Sequence, residues 1–273
     1  MEEREDERKE DELFRRSVYR ADQLQKENVD FKRIKNIDQS KKRAAHESVF
    51  DERTTFDLNK LLANGPLREV AGVISAGKEA NVYLAYDREG KEVALKIYKI
   101  DRNISKWMKN YIVGDPRFRK IPHNISKVIF LWAVKEYKNL KRAKKAGLNV
   151  PEPIKVKNNI LIMEYIGFGP IPAPLLKDIR NPRNPVDLME GILTFIKKLY
   201  QEARLVHGDL SEFNILYHNQ EPVVIDVSQA VSIDHPKSEI YLVRDIKNMF
   251  RYFEKLGIKT PEPEEFYYET IDR

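Results

Sequence analysis

Cysteine is missing from this chain altogether. That excludes a disulfide framework, thiolate nucleophiles and thiolate zinc sites. Long apolar runs are missing too: the longest unbroken one, Val128 to Val134, is far shorter than the ~18 residues a membrane span needs. The N-terminus mixes acids and bases densely, which is not the pattern of a signal peptide. A soluble, cytoplasmic protein with no membrane partner is therefore expected. His46, His123, His218 and His235 lack the spacing of a metal site. No internal repeat is evident.

What is present concentrates in residues 207–229. His207-Gly208-Asp209-Leu210-Ser211-Glu212-Phe213-Asn214 is followed by Val223-Val224-Ile225-Asp226-Val227-Ser228-Gln229. Singly, Asp209 reads as a turn residue, Asn214 as a cap and Asp226 as the end of a buried strand. As an ordered set they are the parts phosphoryl transfer needs. One carboxylate orients a hydroxyl, while an amide and a second carboxylate hold Mg²⁺ on nucleotide phosphates.

A matching half lies upstream. Residues 73–85 read as strand, tight turn, strand, with Gly77-Lys78-Glu79-Ala80 at the turn. Its small residues allow backbone N–H groups to approach phosphate. Val93-Ala94-Leu95-Lys96-Ile97-Tyr98 is a β-rich strand with one lysine among apolar neighbours. A lone strand lysine is usually a solvated one. This one follows a glycine turn and a hairpin, which favours contact with the α- and β-phosphates. Lys96 then needs a carboxylate, and a helix expected from about Ser126 to Ala146 offers Glu136. That residue shares a face with Trp132, Ala133, Leu140 and Ala143. A buried, unpaired carboxylate costs several kcal/mol, so Glu136 calls for a cation.

The motifs Ile74-Ser75-Ala76-Gly77-Lys78-Glu79-Ala80-Asn81-Val82-Tyr83, Leu95-Lys96-Ile97-Tyr98-Lys99, Lys135-Glu136-Tyr137, His207-Gly208-Asp209 and Ile225-Asp226-Val227-Ser228-Gln229 together resemble the RIO family of atypical serine/threonine protein kinases. The likeness is greatest to its Rio-one branch. The resemblance implies an α+β, two-lobed protein-kinase-like fold with ATP and Mg²⁺, or Mn²⁺ in its place, in the cleft. By the same resemblance Asp209 is the catalytic acid/base, and Asn214 and Asp226 are the metal ligands. Lys96 holds the phosphates and pairs with Glu136. Ser75, Gly77 and Lys78 form the phosphate loop. Met163, Glu164 and Ile166 belong to the strand and hinge, 160–166, whose backbone receives adenine.

The departures from ordinary protein kinases are as informative. The phosphate loop has one glycine, Gly77, where three are usual. Gly208 replaces the arginine that often precedes the catalytic Asp. Val227-Ser228 stand where Phe-Gly is expected, no Ala-Pro-Glu follows, and His235-Pro236-Lys237 leads almost directly into the next helix. An activation segment and a peptide-docking platform are expected to be absent. In the resembling family the nucleotide cycle is an ATPase switch on a ribosomal particle.

At 273 residues and 41% hydrophobic content, the chain can bury a sizeable core or two adjoining lobes. The expected layout is a charged arm over 1–48, a small lobe over 49–166 and a hinge-connector with a large lobe over 167–273. The small lobe includes a mobile insertion at about 99–124. A proline-rich connector follows Gly167. Asn184, Pro185 and Asp187 then open a helix. A last helix carries Leu242, Ile246, Met249 and Phe253; its Asp245 reads either as a surface residue or, by the resemblance, as a brace beneath the catalytic loop. The net charge is +6. Basic clusters occur at Lys41-Lys42-Arg43 and at Lys135, Lys138, Lys141, Arg142, Lys144 and Lys145. Between Ser105 and Lys120, bases interleave with Trp107, Tyr111 and Phe118. That mixture suits RNA as well as it suits a charged loop with packed rings. The resemblance favours a small ribosomal subunit precursor and its rRNA as partner.

The resulting expectation is an ATP- and Mg²⁺-dependent kinase or ATPase of small-subunit maturation. Two rivals remain: a small-molecule kinase of the aminoglycoside or choline type, and a ribosome-binding assembly factor with only slow catalysis.

Overall fold

The computed structural model describes residues 51–272. The arm expected over 1–48, with Lys41-Lys42-Arg43, lies outside the described residues. The first helix is α1 (Glu52–Ala63). Asp51 caps it by accepting a hydrogen bond from the Thr54 N–H at 2.7 Å. A side chain at Gly65 would meet the Leu61 backbone at 2.5 Å, so the chain turns there on glycine. Strands β1 (Leu67–Ala76), β2 (Ala80–Asp87) and β3 (Glu92–Tyr98) follow as antiparallel neighbours. With β4 (Pro153–Lys157) and β5 (Ile160–Glu164) they form one sheet in the order β1-β2-β3-β5-β4.

The period-2 alternation of β3 decides what faces the cleft. Val93, Leu95 and Ile97 join Ile160, Ile162 and Leu61 in a core under α1. Ala94, Lys96 and Tyr98 therefore point to the opposite face. That face is covered by α3 (Ile125–Lys145), which is capped by Asn124. Trp132, Ala133, Leu140 and Ala143 are buried along it.

The stretch expected as a mobile insertion is built differently. Asp101 accepts hydrogen bonds from the Asn103 and Ile104 N–H groups and starts α2 (Arg102–Ile112). Ile104, Met108, Tyr111 and Ile112 are buried. Trp107 lies 5.2 Å from Tyr111 and 5.7 Å from Trp132, and Tyr111 stacks on Tyr241 at 5.3 Å. Phe118 is buried as well. The rings that alternated with cations in the sequence thus segregate inward on the helix, which favours packing over base stacking for this stretch.

After β5 the chain forms a small hairpin, β6 (Gly167–Phe168) with β7 (Ile171–Pro172). Then come the helical elements α4 (Pro185–Gln201), α5 (Ser238–Lys255) and α6 (Pro263–Ile271). Pro185 opens α4 as expected, but Asn184 makes no side-chain cap bond. Leu188, Ile192, Phe195 and Leu199 of α4 and Leu242, Ile246, Met249 and Phe253 of α5 are buried in one continuous core. Short pairs, β8 (Leu205–Val206) with β11 (Val231–Ser232) and β9 (Ile215–His218) with β10 (Glu221–Val224), carry the loops between them. The architecture is an α+β fold of two lobes, sheet above and helices below. Among the described residues no helix is long and apolar enough to cross a membrane.

Removing the Trp132 ring should cost about 3–5 kcal/mol of stability, as for other large core truncations. It should also release α2. Hydrogen exchange of Trp132→Ala is expected to show lost protection over 102–112. Unchanged protection there would contradict this docking.

Candidate active site

Because Lys96 and Tyr98 share a face of β3, both reach α3. The Lys96 Nζ lies 2.8 Å from Glu136 Oε1, and the Tyr98 hydroxyl donates to Glu136 Oε2. The same ammonium donates to Asp226 Oδ1 at 2.9 Å. Glu136 is fully buried and Lys96 nearly so, whereas the Asp226 side chain keeps 38% exposure. Burial pushes Glu136 up to about 7, against the pull of Lys96. Burial acts the same way on Asp226, but the Lys96 charge and hydrogen bond, aided by the Ser228 hydroxyl at 2.8 Å, hold that carboxyl down at about 2. Lys96 itself is disfavoured as a cation by burial, and its two carboxylate partners outweigh this and raise it.

Asp226 ends the β10 side of the lower lobe with a left-handed backbone, φ 59°, ψ 53°. Asp tolerates this region better than most residues do. A 3₁₀ turn, Val227–Gln229, follows, and Gln229 Nε2 donates to Asp209 Oδ2 at 3.1 Å. Asp209 sits on a loop fastened from below by Asp245 of α5. Its carboxylate accepts from the Gly208 N–H at 2.7 Å and the Leu210 N–H at 2.8 Å. Gly208 has φ +79°, and a Cβ there would lie 3.4 Å from the Gln229 carbonyl oxygen. This backbone explains why no arginine precedes Asp209. Asn214 Nδ2 donates to the Asp209 carbonyl at 2.7 Å, which leaves the amide oxygen to meet a cation.

The upper rim is set by strand register. Ser75 pairs with Val82, and Val82 with Lys96, so Ser75 lies in the Lys96 row of the sheet. Met163 pairs with Ala94 on that same face. Gly77 N–H donates to the Ala80 carbonyl at 3.0 Å, and an added Cβ would meet that oxygen at 2.9 Å. The single glycine of the loop is therefore required by close approach. Lys99 Nζ donates to the Gly77 carbonyl at 2.7 Å, and Lys78 is half-buried beside it. In the hinge the Glu164 carboxylate accepts from the Glu152 N–H, and the Ile166 carbonyl accepts from the Ala173 N–H.

Reading the sequence missed Gln229, Tyr98, Lys135 and Asn139 as members of this neighbourhood. Gln229 and Tyr98 stand inside quoted motifs, at fixed offsets from Asp226 and Lys96. Lys135 was grouped with the surface bases and is in fact fully buried. Burial and the nearby Arg117 charge push its pKa well down, with Asp115 opposing.

Among the described residues no group of three or more His, Asp or Glu side chains could hold a metal alone. Asn214 and Asp226 would supply two hard oxygen donors, and the Ile225 N–H bond to the Asn214 carbonyl brings their backbones together. That fits Mg²⁺, which takes one or two protein ligands and completes its shell with phosphate and water.

A lysine braced by a helix glutamate under an antiparallel sheet, above an Asp, Asn and Asp on a helical lobe, defines the protein-kinase-like class of phosphotransferases. Residues 81–266 match the RIO domain. The RIO-type serine/threonine-protein kinase Rio1 of Haloferax volcanii is 41% identical over 225 residues, covering 82% of this chain and 76% of that protein. Human serine/threonine-protein kinase RIO1 is 42% identical over 214 residues, 77% of this chain but 38% of its own length. The Rio2 kinase of Chaetomium thermophilum, solved as an ADP/Mg²⁺-phosphoaspartate complex, superposes with a TM-score of 0.61 at 26% identity, covering 79% of this chain and 65% of that one. The chain belongs to the RIO family of kinases, in its Rio1 branch.

The Glu136 pair makes stability depend on pH. Its folded pKa lies above its ordinary 4.5, so this contribution is fully present below pH 4.5 and is lost as pH rises through about 7. In nucleotide- and metal-free protein, the midpoint of Glu136→Gln should gain on wild type between about pH 5 and about pH 7.5, by at most about 3 kcal/mol. A difference between the two that stays constant across this range in thermal unfolding would contradict the assignment.

Proposed function

We propose that this chain is an ATP- and Mg²⁺-dependent serine/threonine kinase whose nucleotide cycle serves maturation of the small ribosomal subunit. The observation that carries the catalytic part is the Lys96 ammonium held between Glu136 and Asp226. A lysine fixed in this way presents one positive charge where the α- and β-phosphates of ATP would lie. The loop of Ser75, Gly77 and Lys78 would cover the phosphates, and the hinge would offer the Ile166 N–H and the Glu164 carbonyl to adenine. Asn214 and Asp226 would hold Mg²⁺, which neutralises charge on the transferred phosphoryl group. Asp209, oriented by Gln229, receives the proton of an incoming hydroxyl as it attacks.

Residues 227–237 are all that separate Asp226 from α5, so there is no room for a long peptide-docking segment. This supports the second reading, an ATPase cycle. In it an Asp226 carboxylate oxygen attacks the γ-phosphorus and ADP leaves. Water then cleaves the aspartyl phosphate to free phosphate. The phosphoaspartate of the Chaetomium Rio2 kinase supports the idea for this chain. The basic face of α3, with Lys138, Lys141 and Lys145, supports an RNA-bearing partner. The small-molecule-kinase alternative is disfavoured because, among the described residues, no large helical insertion stands between α4 and α5.

Single-turnover reaction with γ-labelled ATP and Mg²⁺, with and without small ribosomal subunits, separates these outcomes. Asp209→Ala should lower turnover ~10²–10⁴-fold with nucleotide affinity nearly kept, and Asp226→Ala should weaken Mg²⁺-dependent nucleotide binding itself. Stable label on serine or threonine supports the kinase, and subunit-stimulated phosphate with hydroxylamine-labile label supports the ATPase. Full turnover by Asp209→Ala overturns both.

A further inference from the structure

We infer that Lys135 is a positioning residue for the metal centre, and that it acts through the backbone that follows Asp226. The inference rests on Asp226 being a metal ligand, as proposed above. Lys135 is fully buried, and its Nζ donates to the Ser228 carbonyl at 2.7 Å and the Ala230 carbonyl at 2.6 Å. One helical turn on, Asn139 Nδ2 donates to the Val227 carbonyl at 2.7 Å and again to Ala230 at 2.9 Å. Three carbonyls of a single short turn are thereby gathered by two side chains of α3. Arg117, from the segment after α2, closes the arrangement by donating to Asn139 Oδ1 at 2.7 Å and to the Ala230 carbonyl at 3.3 Å.

A buried lysine is a costly way to fill a helix face whose other members are Trp132, Leu140 and Ala143. Packing alone is served better by methionine or leucine. What the amine adds is directional donors aimed at a turn that begins with a left-handed Asp. Such backbone persists only when its surroundings hold it. Lys135 precedes Glu136, and successive helix residues point about 100° apart. Glu136 therefore reaches β3 and fixes Lys96, while Lys135 reaches the turn and fixes the backbone of Asp226. One turn of α3 sets both sides of the 2.9 Å contact between Lys96 and Asp226. In ordinary kinases the equivalent loop runs on into an activation segment. Here it is clamped to the helix, so the metal carboxylate is held in one place.

The test is calorimetric binding of ADP to the whole chain across a Mg²⁺ titration, with metal-free ADP binding as reference. Lys135→Met, matched in size but without donors, should raise the Mg²⁺ needed for half-maximal tight binding at least tenfold. Metal-free ADP affinity should stay within about twofold. Lys135→Gln, which keeps an NH₂ donor, should recover part of the loss. Should Lys135→Met fail to fold, Asn139→Leu carries the same expectation. Asp226→Asn run in parallel separates the two layers. An unchanged Mg²⁺ requirement in Asp226→Asn overturns the metal-ligand reading and this inference with it. A raised requirement in Asp226→Asn, with a wild-type requirement in folded Lys135→Met or Asn139→Leu, overturns the inference alone.

Discussion

One ammonium group between two carboxylates organises this molecule. Lys96 comes from the sheet, Glu136 from the helix that covers it and Asp226 from the helical lobe. The ammonium's contacts to Glu136 and Asp226 measure 2.8 Å and 2.9 Å, and the second ties the sheet to the helical lobe at the cleft. A lone lysine in that position would be deprotonated by burial and a lone glutamate would take up a proton. Together they stay in place because each compensates the other, and the more exposed Asp226 profits most. Everything expected of the cleft depends on that compensation, since it puts one fixed positive charge beside an acid that still faces solvent.

Helix α3 is the frame for this arrangement. Its apolar residues fasten it to the sheet and to α2, while Lys135, Glu136 and Asn139 address two different structures across the cleft. The lower lobe answers with its own brace: Asp245 of α5 holds the Asp209 loop by two backbone N–H groups, and Gln229 joins that loop to the turn after Asp226. Such hydrogen bonds to charged groups contribute about 1.5–3 kcal/mol each. They are concentrated where a long mobile segment would otherwise begin.

Much of this was readable from the residues. Strands β1, β2, β3 and β5 and the helices α3, α4 and α5 announce themselves through apolar periodicity, whereas β4 does not, and Glu136 on an apolar face points to Lys96. Asp209, Asn214 and Asp226 stood out because their order has few other uses. Other parts depended on non-local partners that leave no mark on the chain. The rings of α2 and the cations between them have one composition whether they meet RNA or Trp132 and Tyr241. Lys135 looked like a surface base because its partners are carbonyl groups, which every residue possesses. Asp57, buried against Asn158 and Lys157, was hidden for a similar reason. Beyond Arg53 on its own helix, its partners lie a hundred residues away, in a turn with no distinctive sequence.

The central claim is that Lys96 and Glu136 are held as a unit, and a double-mutant cycle measures that directly. Lys96→Met, Glu136→Gln and the double variant would be compared by denaturant unfolding at neutral pH without nucleotide. The account predicts a coupling of about 1–3 kcal/mol, since both partners are buried and in contact. Additive effects, with a coupling under about 0.5 kcal/mol, would contradict it.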